Sequence, residues 1–517
     1  MRWTVFVAFV VTLTVSARSV AAHPESSPPR PTAVRAPASS FVPIGLPPDL
    51  RQALEGAGSD EQLSVFVTLT AQIRPSELSA LTAEAPGRRE RLRAVNTALR
   101  RRAATSQRGL LSYLQAAVAM GRASDVRAFW IVNGVALKGT PDLILALAQR
   151  PDIERITLDE ADIVPIGEPS SVANTAIAPP NAVVINVPAV WELGYRGQGI
   201  VVATMDTGVD ETHPDLLNRW RGGTNSWFDP YGEHPTDPTD LARDSSGHGT
   251  WVTGVMVAGD ASGTTLGMAP DAQWIAVKIF PDRTSPTVSA IHAGFEWLLD
   301  PDDNALTDDA PHVVVNAWSM LGTECNLEFE RDMQALRAAG IVPVFAGGNS
   351  GPNPATSLSP GNNPSAFAVG ATDNDDAIYL NSSRGPSACG EAPTIYPEIV
   401  APGVGITTTD RYGLYFNTTG TSLAAPHVGG ALALLLSANP DLSAEEQMTA
   451  LLTTARDLGE PGPDNVFGYG RLDVLAAFQQ IPPRRYVRYL PIVRWMTFRE
   501  RAYLPLVLRL SCPMETQ

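Results

Sequence analysis

Residues 199–210 read GIVVATMDTGVD, an apolar run from Gly199 to Thr204 followed by Met205, Asp206 and a turn at Gly208. A strand that is apolar on both faces belongs in a parallel sheet covered on both sides. Residues 274–279 (WIAVKI), 313–315 (VVV) and 341–345 (IVPVF) repeat the pattern, and the stretches 288–299 and 328–339 between them carry helical spacing. Strands alternating with helices predict an α/β fold, a parallel sheet flanked by helices. Ligands in such sheets meet the loops that follow strand ends. Reactive side chains are therefore sought just after the apolar runs.

Three stand there. Asp206 directly follows the first run. His248 lies in SSGHGT (245–250), with a glycine on each side and an apolar stretch beyond that can start a helix. Ser422 lies in GTSLAAPHV (420–428), at the start of a long apolar helix. Each alone has an ordinary explanation: a strand-end carboxylate, a structural histidine, a helix cap. Together they supply a nucleophile, a base to take its proton, and a carboxylate to orient that base and stabilise its charged form. The chain order Asp, His, Ser differs from the Ser, Asp/Glu, His order of α/β-hydrolases, and GTSLA is not their G-x-S-x-G.

At 517 residues the chain exceeds one ordinary domain, so two or three folded parts are expected. Hydrophobic residues make up 44% and charged residues 18%, which excludes wholesale disorder. A net charge of −16 argues against nucleic acid as a partner. That charge is partitioned: residues 166–482 carry 12 basic and 37 acidic side chains, residues 1–165 carry 19 and 15, and residues 483–517 carry 7 and 2.

Residues 1–22 read as an export signal, with Arg2, an apolar stretch over 3–15 and the small residues Val20, Ala21 and Ala22 before the cut. No later segment offers roughly 20 uninterrupted apolar residues, so no membrane span is expected and the protein is placed outside the cytoplasm, secreted or at the cell surface. Such a compartment permits disulfides. Cys325 and Cys389 are the candidates to pair, leaving Cys512 over.

Residues 23–49 form a Pro-rich linker. Residues 50–165 read as a small α+β domain. Strands are expected at 62–70 and 153–157, with a strand pair or bent strand over 128–137. A long arginine-rich helix is expected over 88–120 and a second helix over 140–149. The arginines Arg88, Arg89, Arg91, Arg93 and Arg100 to Arg102 are read as a solvated face that can meet the acidic block, not as a nucleic-acid site. A flexible stretch over 162–182, with a linker at 166–186, leads to the α/β block at 187–480. The basic tail at 481–517 repeats YLP[IL]V, and is either a pair of edge strands on the block or a surface-attachment element.

The block resembles the subtilisin-like serine proteases, or subtilases. The likeness spans about 187–478 and rests on DTGVD and HPDL around Asp206, SGHGT around His248, GTSLAAPHV around Ser422, and AGGNSG at 346–351. It implies a secreted endopeptidase that cuts polypeptides through Asp206, His248 and Ser422 by an acyl-enzyme route. Asn349 would donate its side-chain amide to the oxyanion hole, where a well-aimed donor contributes about 3–4 kcal/mol. Substrate would be held as an added strand between Ser319, Met320, Leu321 and Gly322 on one side and Ala346, Gly347 and Gly348 on the other. Ala317-Trp318 is an insertion ahead of the first segment. No acidic cluster is assignable to the primary pocket, so a strict preference for basic residues is not implied. The chemistry requires no cofactor. Asp215, in HPDL, matches a structural-calcium position, with 259–266 as the companion loop, although Ala261 stands where a liganding Asn is usual. The likeness further implies that 50–165 is a prosegment, an intramolecular inhibitor and folding aid, cut away within 162–182.

Overall fold

The computed structural model describes residues 45–167, 180–242, 247–390 and 394–481. The export signal, the linker up to residue 44 and the tail from 482 lie outside the described residues. The apolar runs become the strands Val201–Asp206, Gln273–Lys278, Val313–Asn316 and Val342–Ala346. Three strands not foreseen join them, giving the order Ile399–Pro402, Phe367–Thr372, Val342–Ala346, Val313–Asn316, Val201–Asp206, Gln273–Lys278, Trp227–Phe228. Every pair in this sheet is parallel.

Successive side chains of a strand point to opposite faces, and two apolar cores follow from that. Val202 is buried with Val252, Met256 and Val428 of the helices His248–Val257 and Thr421–Ala438. Its neighbour Ala203 is buried with Ile291, Phe295 and Leu336 of Val288–Leu299 and Glu330–Ala339. Thr421–Ala438 is long and apolar enough to cross a membrane by length and composition, but 94% of it is buried. It is a core helix. Cys325 and Cys389 are joined, with Cα atoms 5.0 Å apart, while Cys512 lies outside the described residues.

The N-terminal lobe is an antiparallel sheet ordered Ala123–Phe129, Gly134–Gly139, Leu63–Leu69, Ile153–Leu158. The helix expected over 88–120 is two, Arg88–Ser106 and Arg108–Ala119. The break falls at Gln107, whose buried amide turns away to the Phe129 carbonyl (2.7 Å) and Asn133 Oδ1 (3.0 Å). The helix Pro75–Thr82 was not foreseen.

The arginine-rich helix does not simply present a solvated face. Arg93 and Arg101 are exposed, but Arg88 and Arg91 are buried. Arg88 donates to the carbonyls of Ala310 and Pro311 (2.8 Å each) and pairs with Asp308. Arg91 donates to the Asp441 and Leu442 carbonyls, and Arg100 bridges Asp300 (2.8 Å) and Asp303 (2.7 Å). The lobe also grips both ends of the helix Val288–Leu299. Asp159 accepts from the Ser289 N–H (2.7 Å) and hydroxyl (2.6 Å) at its start. Glu296 accepts the backbone N–H groups of Trp130 (2.6 Å) and Ile131 (3.0 Å), and burial pushes its carboxyl up to about 7.

The stretch read as flexible from residue 162 begins instead with a strand, Ile163–Pro165. It pairs antiparallel with Trp318–Met320. Backbone bonds extend the pairing, from Ile166 N–H to Ala317 (2.9 Å) and from Leu321 N–H to Asp162 (3.0 Å), and Ala161 N–H reaches Pro286 on the other side (3.0 Å). Residues 168–179 lie outside the described residues, and Pro180–Val184 is helical.

Candidate active site

Asp206 ends its strand fully buried, and its Oδ1 accepts the Thr207 N–H at 2.7 Å. The same oxygen lies 2.8 Å from His248 Nδ1. His248 opens the helix His248–Val257, after Gly247 at φ 99°, a left-handed conformation that suits glycine. Gly249 is needed for a different reason: a Cβ there would overlap the Gly208 carbonyl oxygen, so glycine lets the two loops approach. Burial opposes the charged imidazolium of His248, but the charge and hydrogen bond of Asp206 outweigh it and hold its pKa above the ordinary histidine value.

Ser422 is the second residue of the helix Thr421–Ala438. Its Oγ is buried and has no hydrogen-bond partner among the described residues. Asn349 is turned toward it by its other end. Asn349 Oδ1 accepts the Thr421 N–H (3.1 Å) and hydroxyl (3.0 Å), and that hydroxyl accepts the Gly348 N–H (3.0 Å). With the oxygen so held, Nδ2 faces Gly420, where an added Cβ would lie 3.0 Å from it and 3.3 Å from Ser422 Oγ.

The chain's own backbone crosses this site. The Ile166 carbonyl oxygen lies 3.3 Å from His248 Nε2. A Cβ on Gly167 would lie 3.2 Å from that nitrogen and 3.4 Å from Ser422 Oγ.

Ser319 and Met320 pair with Val164 and Ile163 of the crossing segment, Leu321 bonds Asp162, and Gly322 turns the chain at φ 91°. The insertion Ala317-Trp318 is part of this edge, because Ala317 supplies a carbonyl and Trp318 is buried beneath, edge-on to Phe329 and Phe345. Ala346 ends the adjacent strand. Gly347 and Gly348 turn their backbone groups elsewhere: Gly347 donates to Val369 (2.8 Å) and accepts the Tyr396 hydroxyl (2.6 Å), and Gly348 accepts the Ser383 N–H (2.8 Å).

Asp240 was missed by sequence reasoning. Its buried carboxylate accepts the Thr207 hydroxyl at 2.8 Å, and the Thr250 N–H and hydroxyl at 2.9 and 2.7 Å. It thus ties the turn after Asp206 to the helix that carries His248. Burial pushes its pKa up, and the Asp206 charge adds to that. Thr421, which aims Asn349, was also missed, although it stands inside the GTS motif.

The residues around Asp215 do not fit a calcium ion. Its Oδ1 accepts the Ala261 N–H (2.6 Å) and its Oδ2 the Tyr415 hydroxyl (2.7 Å). The Arg219 guanidinium packs on Gly259 of the companion loop. Calcium requires six to eight oxygens. Here both carboxylate oxygens are engaged by donors and a cation already stands alongside.

Residues 197–470 match the subtilase family. Bacillopeptidase F of Bacillus subtilis (strain 168) is 32% identical over 474 residues, covering 84% of this chain and 32% of its own length. Subtilisin Savinase of Lederbergia lenta is 35% identical over 294 residues, covering 57% of this chain and 96% of its own. The alkaline protease of Alkalihalobacillus alcalophilus is 34% identical over 328 residues, covering 63% and 76%. The chain thus spans about a third of the length of Bacillopeptidase F and most of the two shorter relatives.

Proposed function

The chain belongs to the subtilase family of serine-type endopeptidases, and we propose that it hydrolyses polypeptides through Asp206, His248 and Ser422, after cutting itself from a precursor. The observation that carries this reading is the 2.8 Å bond from Asp206 to His248, beside a buried Ser422 hydroxyl with no other partner among the described residues. His248 takes the Ser422 proton as Oγ bonds to the substrate carbonyl carbon, and Asp206 stabilises the imidazolium that forms. The Asn349 amide donates to the oxyanion. As the C–N bond breaks, His248 returns the proton to the leaving amine. Water then repeats the sequence on the acyl-enzyme and releases the acid. Side chains and water suffice.

Polypeptide substrate adds as a strand to the Trp318–Met320 edge, a reading supported by the chain's own segment in that place. Residues 50–165 serve as prosegment, inhibitor and folding aid. The buried arginine contacts and the strand across the site support this. Secretion is supported by the Arg2-led apolar start and by the Cys325–Cys389 disulfide, which suits an oxidising compartment.

The test is hydrolysis of denatured casein by the wild type and by Ser422→Ala, with the intact mass of each. The wild type should digest casein and shed its N-terminal lobe, and the variant should do neither. Casein digestion by Ser422→Ala, or its appearance at the shortened mass with no other protease present, would overturn the reading.

A further inference from the structure

The Trp318–Met320 edge is fastened from behind by a disulfide that solvent can reach. We propose that Ser359 and the Cys325–Cys389 disulfide are positioning residues for this edge, and that a small thiol, by opening the disulfide, weakens the binding of extended polypeptides and leaves the bond-breaking step alone. This rests on the reading of the edge as the place where substrate adds.

Met320 ends the edge strand, and its N–H turns from the crossing segment to the Ser359 carbonyl at 2.7 Å. Residues 321–327 beyond it are all exposed and belong to no helix or strand, so burial of apolar groups does not hold them. Polar bonds to a buried segment do. The Ser359 hydroxyl accepts the Asn326 N–H (2.9 Å), and the Asn363 amide donates to the Asn326 carbonyl (2.9 Å). The same segment is bonded on its other side to residues 387–389. Ser357 accepts the Ala388 N–H (2.9 Å), the Ser387 hydroxyl donates to the Asn362 carbonyl (2.9 Å), and the Asn363 amide also reaches Cys389 Sγ (3.4 Å). The disulfide passes across this middle layer and joins the two outer loops, 64 residues apart in sequence. Two other ties of the exposed loop and its end, Leu321 N–H to Asp162 and Glu328 to Arg155, are made to the N-terminal part of the chain and go when that part is shed. In the processed enzyme the covalent link therefore carries more of the order of the edge.

The two sulfurs differ in access. Cys389 is buried and Cys325 is exposed. A disulfide opens when a thiolate reaches one of its sulfurs, so attack falls on Cys325 Sγ and expels Cys389 as the thiolate, which takes up a proton. A second thiol then attacks the sulfur added to Cys325 and releases the Cys325 thiol. The protein disulfide becomes two thiols, and two reductant thiols become one disulfide. Losing the cross-link returns conformational freedom to the loop, and a substrate that pairs with the edge must then order it on binding. The bonds from Asp206 to His248 and from Thr421 to Asn349 involve neither loop.

The test uses the processed enzyme, first shown to digest casein and to be stopped by a serine-directed inhibitor. Two substrates are compared with and without dithiothreitol: an internally quenched peptide with four residues before the cut bond, which pairs with the edge, and an N-acetyl amino acid ester, which is too short to do so. Reduction should raise KM for the peptide by about 5- to 20-fold, with kcat for the peptide and kcat/KM for the ester each within about 2-fold. Reoxidation should restore KM. Cys325→Ser combined with Cys389→Ala should behave as the reduced wild type and ignore the thiol, and Ser359→Ala should raise KM for the peptide with the disulfide closed. Circular dichroism checks that the fold persists, and mass spectrometry that the disulfide has opened. An unchanged KM for the peptide with the disulfide open, or equal losses on the two substrates, overturns this proposal while leaving the serine protease reading intact. Failure of the casein control would remove the underlying reading and this one with it.

Discussion

His248 and His292 are both buried, and each is bonded through Nδ1 to a buried aspartate, Asp206 at 2.8 Å and Asp332 at 2.9 Å. What differs is the other nitrogen. His248 Nε2 opens on the cleft, with the Ile166 carbonyl at 3.3 Å and Ser422 beside it. His292 Nε2 faces a second carboxylate, Glu328, at 3.4 Å, and Glu328 is itself held by Arg155 of the N-terminal lobe. Phe66 and Phe329 pack on the His292 ring, with centroids 4.7 and 5.1 Å away. Burial works against its charge, but Asp332 and Glu328 overcome that and push it up to about 9. A histidine held charged between two carboxylates cannot serve as a base near neutral pH. The His–Asp pair is therefore no signature of catalysis; the partner of the remaining nitrogen decides.

Exchanging the losses breaks or upholds this contrast, and it gives the largest effect. His248→Ala should lower kcat/KM by about 10⁵- to 10⁶-fold, and its melting temperature should nearly match that of Ser422→Ala, which likewise keeps the lobe attached. His292→Ala leaves Asp332 and Glu328 facing each other without their cation, and should cost about 3–5 kcal/mol of stability while kcat stays within a few-fold. Urea unfolding and casein kinetics on both variants read the two losses. Similar losses of activity in both would erase the distinction.

The pH dependence of stability sharpens the same contrast. The folded pKa of His292 lies above the ordinary 6.5, so its contribution is fully present below about 6.5 and is lost as pH rises through about 9. The full chain carrying Ser422→Ala, which keeps the lobe attached, should lose stability across that window. The same chain with His292→Ala should show a flatter curve. Parallel curves would mean that His292 is not charged as described.

Two smaller effects concern groups that act on the His248 side alone. Asn349→Ala should lower kcat by about 10²- to 10³-fold with KM little changed, because the oxyanion exists only in the transition state. An effect on KM alone would remove Asn349 from the oxyanion site. Asp240→Asn removes a nearby negative charge that favours the imidazolium, so the acid limb of the kcat/KM profile should move to lower pH. A slower enzyme with an unmoved profile would make Asp240 a brace between Thr207 and Thr250 and nothing more.

The contrast also explains what was legible in the sequence. Asp206, His248, Ser422 and Asn349 each follow a strand or open a helix within a short motif, so local pattern places them. Asp240 lies just ahead of SSGHGT in a loop with no pattern of its own, and only the folded chain brings it to Thr207, in the DTG motif across the site. Gly109 stands two residues past the break at Gln107, but a lone Gly in a helical pattern is tolerated, and the bonds that hold Gln107, to Phe129 and Asn133, are non-local. The strands Phe367–Thr372 and Ile399–Pro402 follow Val342–Ala346 with no helix between them, so the strand–helix alternation that marked the other strands does not announce them. Asp215 shows the reverse limit: a motif match identified the residue, but Tyr415, distant in sequence, and Arg219, one helical turn on, decide what its surroundings can bind.

The central claim is that Ser422 is the nucleophile and that the chain's own segment covers it. Labelling with a serine-directed fluorophosphonate, followed by peptide mapping, tests both. The wild type should carry the label on Ser422 once its N-terminal lobe is released, and the precursor labelled before that release should react far more slowly at the same residue. Label on another serine, or equal labelling of the wild type and Ser422→Ala, would contradict the account.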